Sequence, residues 1–201
     1  MSQKRLDVLL VNPGGRKEVY QGLGNTLSAI EPPVWAGLIA TFVRTKGLSV
    51  EILDTNAENL AFSQTAERIA EINPVLTAVV VYGHQPSTST QHMPAAGAIC
   101  TELKRVAPAA KVLLVGGHVS ALPERTLEEE DVDFVCTGEG PQSVYELVQA
   151  LKSTCPDDFS NVRGICYFDE GKVVKTSASP LVKDLEEEMD GMAWDLYSMD
   201  K

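Results

Sequence analysis

Short apolar, β-branched runs alternate along this chain with segments whose apolar residues recur every three or four positions. Leu6–Val11, Ser49–Leu53, Thr77–Tyr82, Lys111–Val115 and Val132–Cys136 predict strands. Pro33–Lys46 predicts the first helix, because Trp35, Leu38, Ile39, Phe42 and Val43 fall on one face and Gly47 follows as a stop. Ser63–Ile72 predicts a second helix that ends before Asn73-Pro74, since a residue preceding proline avoids helical angles. Thr90–Val106, Leu122–Glu130 and Pro141–Leu151 complete the helices, with Pro94 tolerated if it falls in a first turn and Pro141 suited to a first helical position.

Strands that are apolar on both faces, separated by helices, predict an α/β fold with a parallel sheet covered on both sides. The expected architecture is a flavodoxin-like, doubly wound, five-stranded sheet over residues 1–152. Beyond Lys152 the pattern changes. Gly164–Phe168 and Lys172–Thr176, joined by Asp169-Glu170-Gly171, predict a β-hairpin. From Ser177 the chain is polar and acidic, with no apolar period, so residues 153–201 read as a hairpin and linker leading toward a further domain.

Composition narrows the function more than the fold. Apolar residues make up 44% of the chain and charged residues 22%, as in a globular protein. The 28 acidic and 17 basic side chains give a net charge of −11, which argues against a nucleic-acid or anionic-membrane partner. No apolar run approaches the ~20 residues of a membrane span, and Val8–Val11 is too short for a signal-peptide core, so the cytoplasm is the expected location. Cys100, Cys136, Cys155 and Cys166 contain no C-x-x-C, so no metal site is predicted.

In an open parallel sheet, ligands bind outside the carboxyl ends of the strands. Four loops are expected at that edge: Asn12-Pro13-Gly14-Gly15-Arg16, Gly83-His84-Gln85-Pro86-Ser87-Thr88-Ser89-Thr90-Gln91, Gly116-Gly117-His118 and Thr137-Gly138-Glu139-Gly140-Pro141. Glycines there also serve tight turns, Ser87–Thr90 also suit a helix cap, and Glu139 also suits a helix N-terminus. The loops match none of the common phosphate or nucleophile motifs. G-x-G-x-x-G is missing between the first strand and helix, and Gly22-Leu23-Gly24 has no third glycine at the required place. Neither G-x-x-x-x-G-K-[ST] nor G-x-S-x-G occurs.

The run from Val79 through Leu151 resembles the cobalamin-binding domain at the front of radical SAM enzymes. The resemblance rests on Tyr82-Gly83-His84-Gln85-Pro86-Ser87, on Val112–His118 with Leu122-Pro123-Glu124, and on Gly138-Glu139-Gly140. Val8–Pro13, Pro32–Gly47, Val50–Asp54 and the tail segments Ala193–Leu196 and Met199–Lys201 fit as well. It implies a Rossmann-like domain that binds cobalamin with the dimethylbenzimidazole tail withdrawn from cobalt. Asn12, Pro13, Gly14, Gly83, His84, Gln85, Ser87, Thr88, Ser89, Gly116, Gly117, His118, Gly138, Glu139 and Gly140 are then the expected cofactor contacts. Gly116 and Gly117 would leave room for the tail, the Ser87–Thr90 hydroxyls would donate hydrogen bonds, and amides at Gly138–Gly140 would meet ribose or phosphate.

The resemblance also implies an intramolecular radical SAM domain as partner, carrying the S-adenosylmethionine and [4Fe–4S] sites, because C-x-x-x-C-x-x-C is absent here. Methyl transfer, ring contraction or cyclisation would be the reaction of the whole enzyme, and this chain by itself carries no catalytic residue. One departure bears on cobalt. The Asp-x-His-x-x-Gly of mutases and methionine synthase does not occur after the first strand, so no histidine is expected below the metal. The competing readings are a stand-alone flavodoxin-like regulator, which the lack of an acidic cluster at Asn12–Gly14 disfavours, and a nucleotide-sugar binder using Gly116–His118 and Glu139.

Overall fold

The computed structural model describes residues 5–14, 31–83 and 86–197. Five strands run parallel: β1 (Val8–Asn12), β2 (Val50–Asp54), β3 (Leu76–Val80), β4 (Val112–Val115) and β5 (Phe134–Cys136). Their order, β2-β1-β3-β4-β5, reverses direction between β1 and β3, the doubly wound topology expected from the sequence. Each strand sends alternate residues to opposite faces. Val8, Leu10, Ala78, Val80, Leu113 and Val115 pack under helices α1 (Val34–Thr45) and α6 (Pro141–Leu151). Leu9, Val11, Val79, Val81, Val112 and Leu114 pack on the other face, with α2 (Phe62–Ile72), α3 (Pro86–Val106), α4 (Gly117–Ala121) and α5 (Pro123–Glu129).

The sheet has seven strands rather than five. The hairpin, β6 (Ile165–Asp169) and β7 (Lys172–Lys175), joins antiparallel to β5, pairing Cys136 with Ile165 and Phe134 with Tyr167. β5 is only three residues long, and an open edge there would leave its backbone groups unpaired. The two-residue hairpin loop has both Glu170 (φ 46°) and Gly171 (φ 77°) left-handed, the twist that matches paired strands.

Two further differences concern helices. α3 starts at Pro86 rather than Thr90, which leaves Pro94 in its interior and removes one helical amide donor. The polar stretch after Ser177 is not free of the core. It forms α7 (Leu185–Glu188), capped by Asp184, and a 3-10 turn at Trp194–Leu196. It also buries Met189 and Ala193 against the α1 side. These apolar residues are too widely spaced to make a period, so pattern alone misses them.

At the amino edge, Asp7 is 1% exposed. Its carboxylate accepts from Ser49 N and Ser49 Oγ, both at 2.9 Å, and from Lys152 Nζ. This ties β1, β2 and the end of α6 together. No helix among the described residues is long and apolar enough to cross a membrane.

Candidate functional site at the carboxyl edge of the sheet

Parallel registers align the ends of the strands: Val11 lies beside Val79, Val80 beside Val115, and Leu114 beside Val135. The loops after β1, β3, β4 and β5 therefore open on one edge, at and beside the switch point. His84 and Gln85 lie outside the described residues, as do Gly15, Arg16 and Gly22–Gly24.

The loop after β1 is fastened to the end of β2. Asn12 Nδ2 donates to Asp54 Oδ1 at 2.9 Å, while Thr55 Oγ1 donates to the Asn12 carbonyl at 2.9 Å and accepts from Gly14 N. Asp54 also accepts from the amides of Asn56 and Ala57. The Asn12 amide is thus committed to the scaffold, and Pro13 beside it is buried.

Past β3, Gly83 lies beneath Thr88: a Cβ on Gly83 would come 2.3 Å from Thr88 Cβ. Ser87 is exposed and Thr88 half-buried at the start of α3. Ser89 is buried and joins two loops. Its hydroxyl donates to the Val81 carbonyl and accepts from His118 N at 2.9 Å. Thr90 Oγ1 lies 3.0 Å from His118 Nδ1, a second tie between α3 and α4.

The two glycines after β4 differ in role. A Cβ on Gly116 would stand 2.6 Å from both Val81 Cγ2 and Val81 O, so this glycine lets β3 and the turn pack together. A Cβ on Gly117 would meet only Ser89 Cβ and Oγ, both at 3.8 Å, and Gly117 is exposed. Of the two, Gly117 accepts a Cβ at ordinary contact distance and Gly116 does not.

After β5, Gly140 caps α6 with φ 107°, a conformation closed to most side chains, and a Cβ there would lie 2.6 Å from Val115 Cγ1. Gly138 is open, with Ser179 Cβ at 3.9 Å as its sole near neighbour. Glu139 is exposed and accepts from Val182 N at 3.3 Å. The Tyr82 hydroxyl reaches the carbonyls of Gly138 at 3.5 Å and Glu139 at 3.4 Å, and the Tyr82 ring stacks on Trp35 with centroids 4.3 Å apart. Burial, with smaller contributions from Cys136 and Glu139, pushes the Tyr82 phenol up, so it stays protonated. Trp35, Tyr82, Asp54 and Thr55 were not among the cofactor contacts expected from the sequence. The position of Asp54 and Thr55 at a strand's carboxyl end was the available signal.

The described residues at this edge offer amides, hydroxyls and glycine-floored space rather than a nucleophile with a base, an arrangement suited to holding a group. Among them no group of three or more His, Cys, Asp or Glu could hold a metal ion. A family model, the B12 binding domain, matches residues 20–148. The chain belongs to the B12-binding domain family.

Relatives of this B12-binding domain carry it within longer chains. An uncharacterised methyltransferase of Pyrococcus horikoshii is 29% identical over 199 residues, which are 98% of this chain and 40% of that protein. An anaerobic magnesium-protoporphyrin IX monomethyl ester cyclase of Rubrivivax gelatinosus is 27% identical over 186 residues, 89% of this chain and 31% of that protein. Among solved structures, the radical S-adenosylmethionine methyltransferase TsrM of Kitasatospora setae, with cobalamin and a [4Fe-4S] cluster bound, superposes at a TM-score of 0.63. It is 23% identical, and the match covers 90% of this chain and 30% of that one. The cobalamin-dependent S-adenosylmethionine radical enzyme OxsB with aqua-cobalamin bound gives 0.65 at 20% identity, covering 90% and 23%. The B12-binding domain thus spans less than half the length of these proteins.

The residues present fit a bulky cofactor. A Cβ on Gly117 or Gly138 would make only ordinary contacts, 3.8 Å to Ser89 and 3.9 Å to Ser179, so at the carboxyl edge of the sheet the backbone of both can be approached closely.

Proposed function

We propose that this chain is the cobalamin-holding module of a larger radical SAM enzyme that performs methyl transfer or a related cyclisation, working in the cytoplasm. Residues 1–152 form the cofactor-binding part, and residues 153–201 connect it to a catalytic domain that carries S-adenosylmethionine and the [4Fe–4S] cluster. The observation that supports this best is the exposed backbone of Gly117, set beside the Ser89–His118 clasp, in a chain matched by the B12-binding model.

Bound cobalamin supplies group-transfer chemistry at cobalt, and the protein binds and orients it. Gly117 and Gly138 admit the cofactor close to the backbone. Exposed Ser87 and half-buried Thr88 supply hydroxyls, while Ser89 holds the β4 turn in register rather than reaching outward. The α6 N-terminus at Gly140-Pro141 presents the positive end of a helix to ribose or phosphate. Because Asp-x-His-x-x-Gly does not occur in the chain, no histidine ligand to cobalt is expected.

Loading tests the proposal directly. The chain is mixed anaerobically with excess hydroxocobalamin, passed through gel filtration, and its corrin absorbance compared with protein concentration. Close to one cofactor per chain is expected. Protein that elutes without corrin absorbance refutes the reading.

A further inference from the structure

Gly37 lies in the first turn of α1, inside a helix, where glycine is less favourable than alanine. Its φ is ordinary, so the backbone does not demand glycine. The reason lies in the C-terminal segment. A Cβ on Gly37 would come 1.8 Å from Tyr197 Oη, 2.9 Å from Tyr197 Cζ and 3.4 Å from Met192 Cε. The Tyr197 ring fills a notch in α1 that only glycine leaves open, and its hydroxyl donates to the Pro33 carbonyl at 3.3 Å.

Neighbouring contacts fix the same segment. Arg44, near the other end of α1, forks onto Asp195, Nη1 to Oδ1 at 2.8 Å and Nη2 to Oδ2 at 2.7 Å. With these side chains 38% and 66% exposed, solvent screens the pair, which mainly sets direction. Met189 and Ala193 are buried in the α1-side core. Burial first, and the Asp54 carboxylate second, push the Tyr197 phenol up to about 12, so at neutral pH it remains a donor. α1 follows the carboxyl end of β1, so its first turn, and the ring seated there, lie at the carboxyl edge of the sheet. Upstream, the same segment meets the candidate site at Gly138, beside Ser179, and at Glu139, which accepts from Val182 N.

We propose that Gly37 and Tyr197 form a latch, a notch and its plug, that clamps residues 189–197 onto α1 and so holds residues 179–182 along Gly138-Glu139 as one wall of the cofactor site. The wall rests on the cobalamin reading; the latch stands without it.

The test is a double-mutant cycle in the 201-residue chain: Gly37→Ala, Tyr197→Ala and the double variant. Hydrogen exchange followed by mass spectrometry reads the segment, and hydroxocobalamin titration reads the site. Gly37→Ala should speed exchange across residues 189–197 by about tenfold or more, because the methyl expels the ring, while strands β1, β3 and β4 keep their protection. In the Tyr197→Ala background the same substitution should add no further change, because the clashing partner is gone. Equal acceleration in both backgrounds, or none in either, overturns the latch. A Gly37→Ala chain that releases the segment yet binds cobalamin with unaltered affinity overturns the wall. Absence of binding in the parent chain refutes the cobalamin reading, and the exchange data still decide the latch.

Discussion

Gly116 and Gly117 are neighbours of the same residue type, and the structure assigns them opposite responses to substitution. Gly117 is exposed and has room for a side chain. A leucine Cβ there would sit at ordinary contact distance, 3.8 Å, from Ser89, and no left-handed φ opposes it. The fold should therefore accept Gly117→Leu with little change in melting temperature. The cofactor should not, because the leucine fills volume the bound group needs. Overpacking of this kind costs about 1–3 kcal/mol, which is roughly a 5- to 150-fold loss of affinity. Alanine at Gly116 meets backbone instead, since Val81 O at 2.6 Å cannot rotate away. The same overpacking is then charged to folding, and for a chain of this length about 1–3 kcal/mol lowers Tm by roughly 2–12 °C. Titration with hydroxocobalamin, followed by visible absorbance, gives the affinities, and thermal unfolding of the cofactor-free variants gives Tm. The reasoning fails if folded Gly117→Leu binds as tightly as the parent chain, or if Gly116→Ala melts at the parental temperature.

Two shorter predictions concern Asp7 and the histidines. Burial would raise the Asp7 carboxyl, but its hydrogen bonds to Lys152 and Ser49 outweigh that and hold it below its usual 3.8. A depressed folded value means the stabilisation is complete above the unfolded pKa and lost as pH falls through the folded one. Asp7→Asn should therefore cost about 2 kcal/mol at neutral pH, the scale of a hydrogen bond to a charged group. In denaturant titrations the gap to the parent chain should close only below about pH 4, and a gap that closes above pH 5 refutes the assignment. In the cobalt(II) form of the loaded chain, electron paramagnetic resonance should show no splitting from an axial nitrogen, and His84→Ala and His118→Ala should leave the spectrum unchanged. Splitting that disappears in either variant would place that histidine on cobalt.

Most of the sheet was legible because its strands are buried on both faces. Val8–Val11, Val79–Val81 and Val112–Val115 are continuous apolar runs, and such runs have few competing explanations once helices separate them. The hairpin was legible too, from its turn, but not its place in the sheet. Local pattern says that β6 pairs with β7; it does not say that β6 also covers the edge of β5. The early start of α3 was hidden by Pro94, which argues for a boundary that Ser89 overrides. Its hydroxyl bonds to Val81 and His118 and fixes the first turn of the helix against the sheet.

The site divides along the same line. The rule that parallel strands present their loops on one edge was enough to gather Asn12–Gly14, Gly83, Ser87–Ser89, Gly116–His118 and Gly138–Gly140. It could not assign their tasks, because a task depends on what stands opposite in space. Asn12 looks like a free amide until Asp54 appears 42 residues away, and Gly116 looks like a ligand glycine until Val81 does. Gly37 is the extreme case. Inside an amphipathic helix it is merely an unfavourable residue, and nothing nearby in the chain explains it. The explanation is Tyr197, at the far end of the described residues, in a stretch whose composition suggests a linker. A glycine that costs helix stability without needing a special φ points to close contact from elsewhere in the fold. In this chain that contact joins the first turn of α1 to residues 189–197.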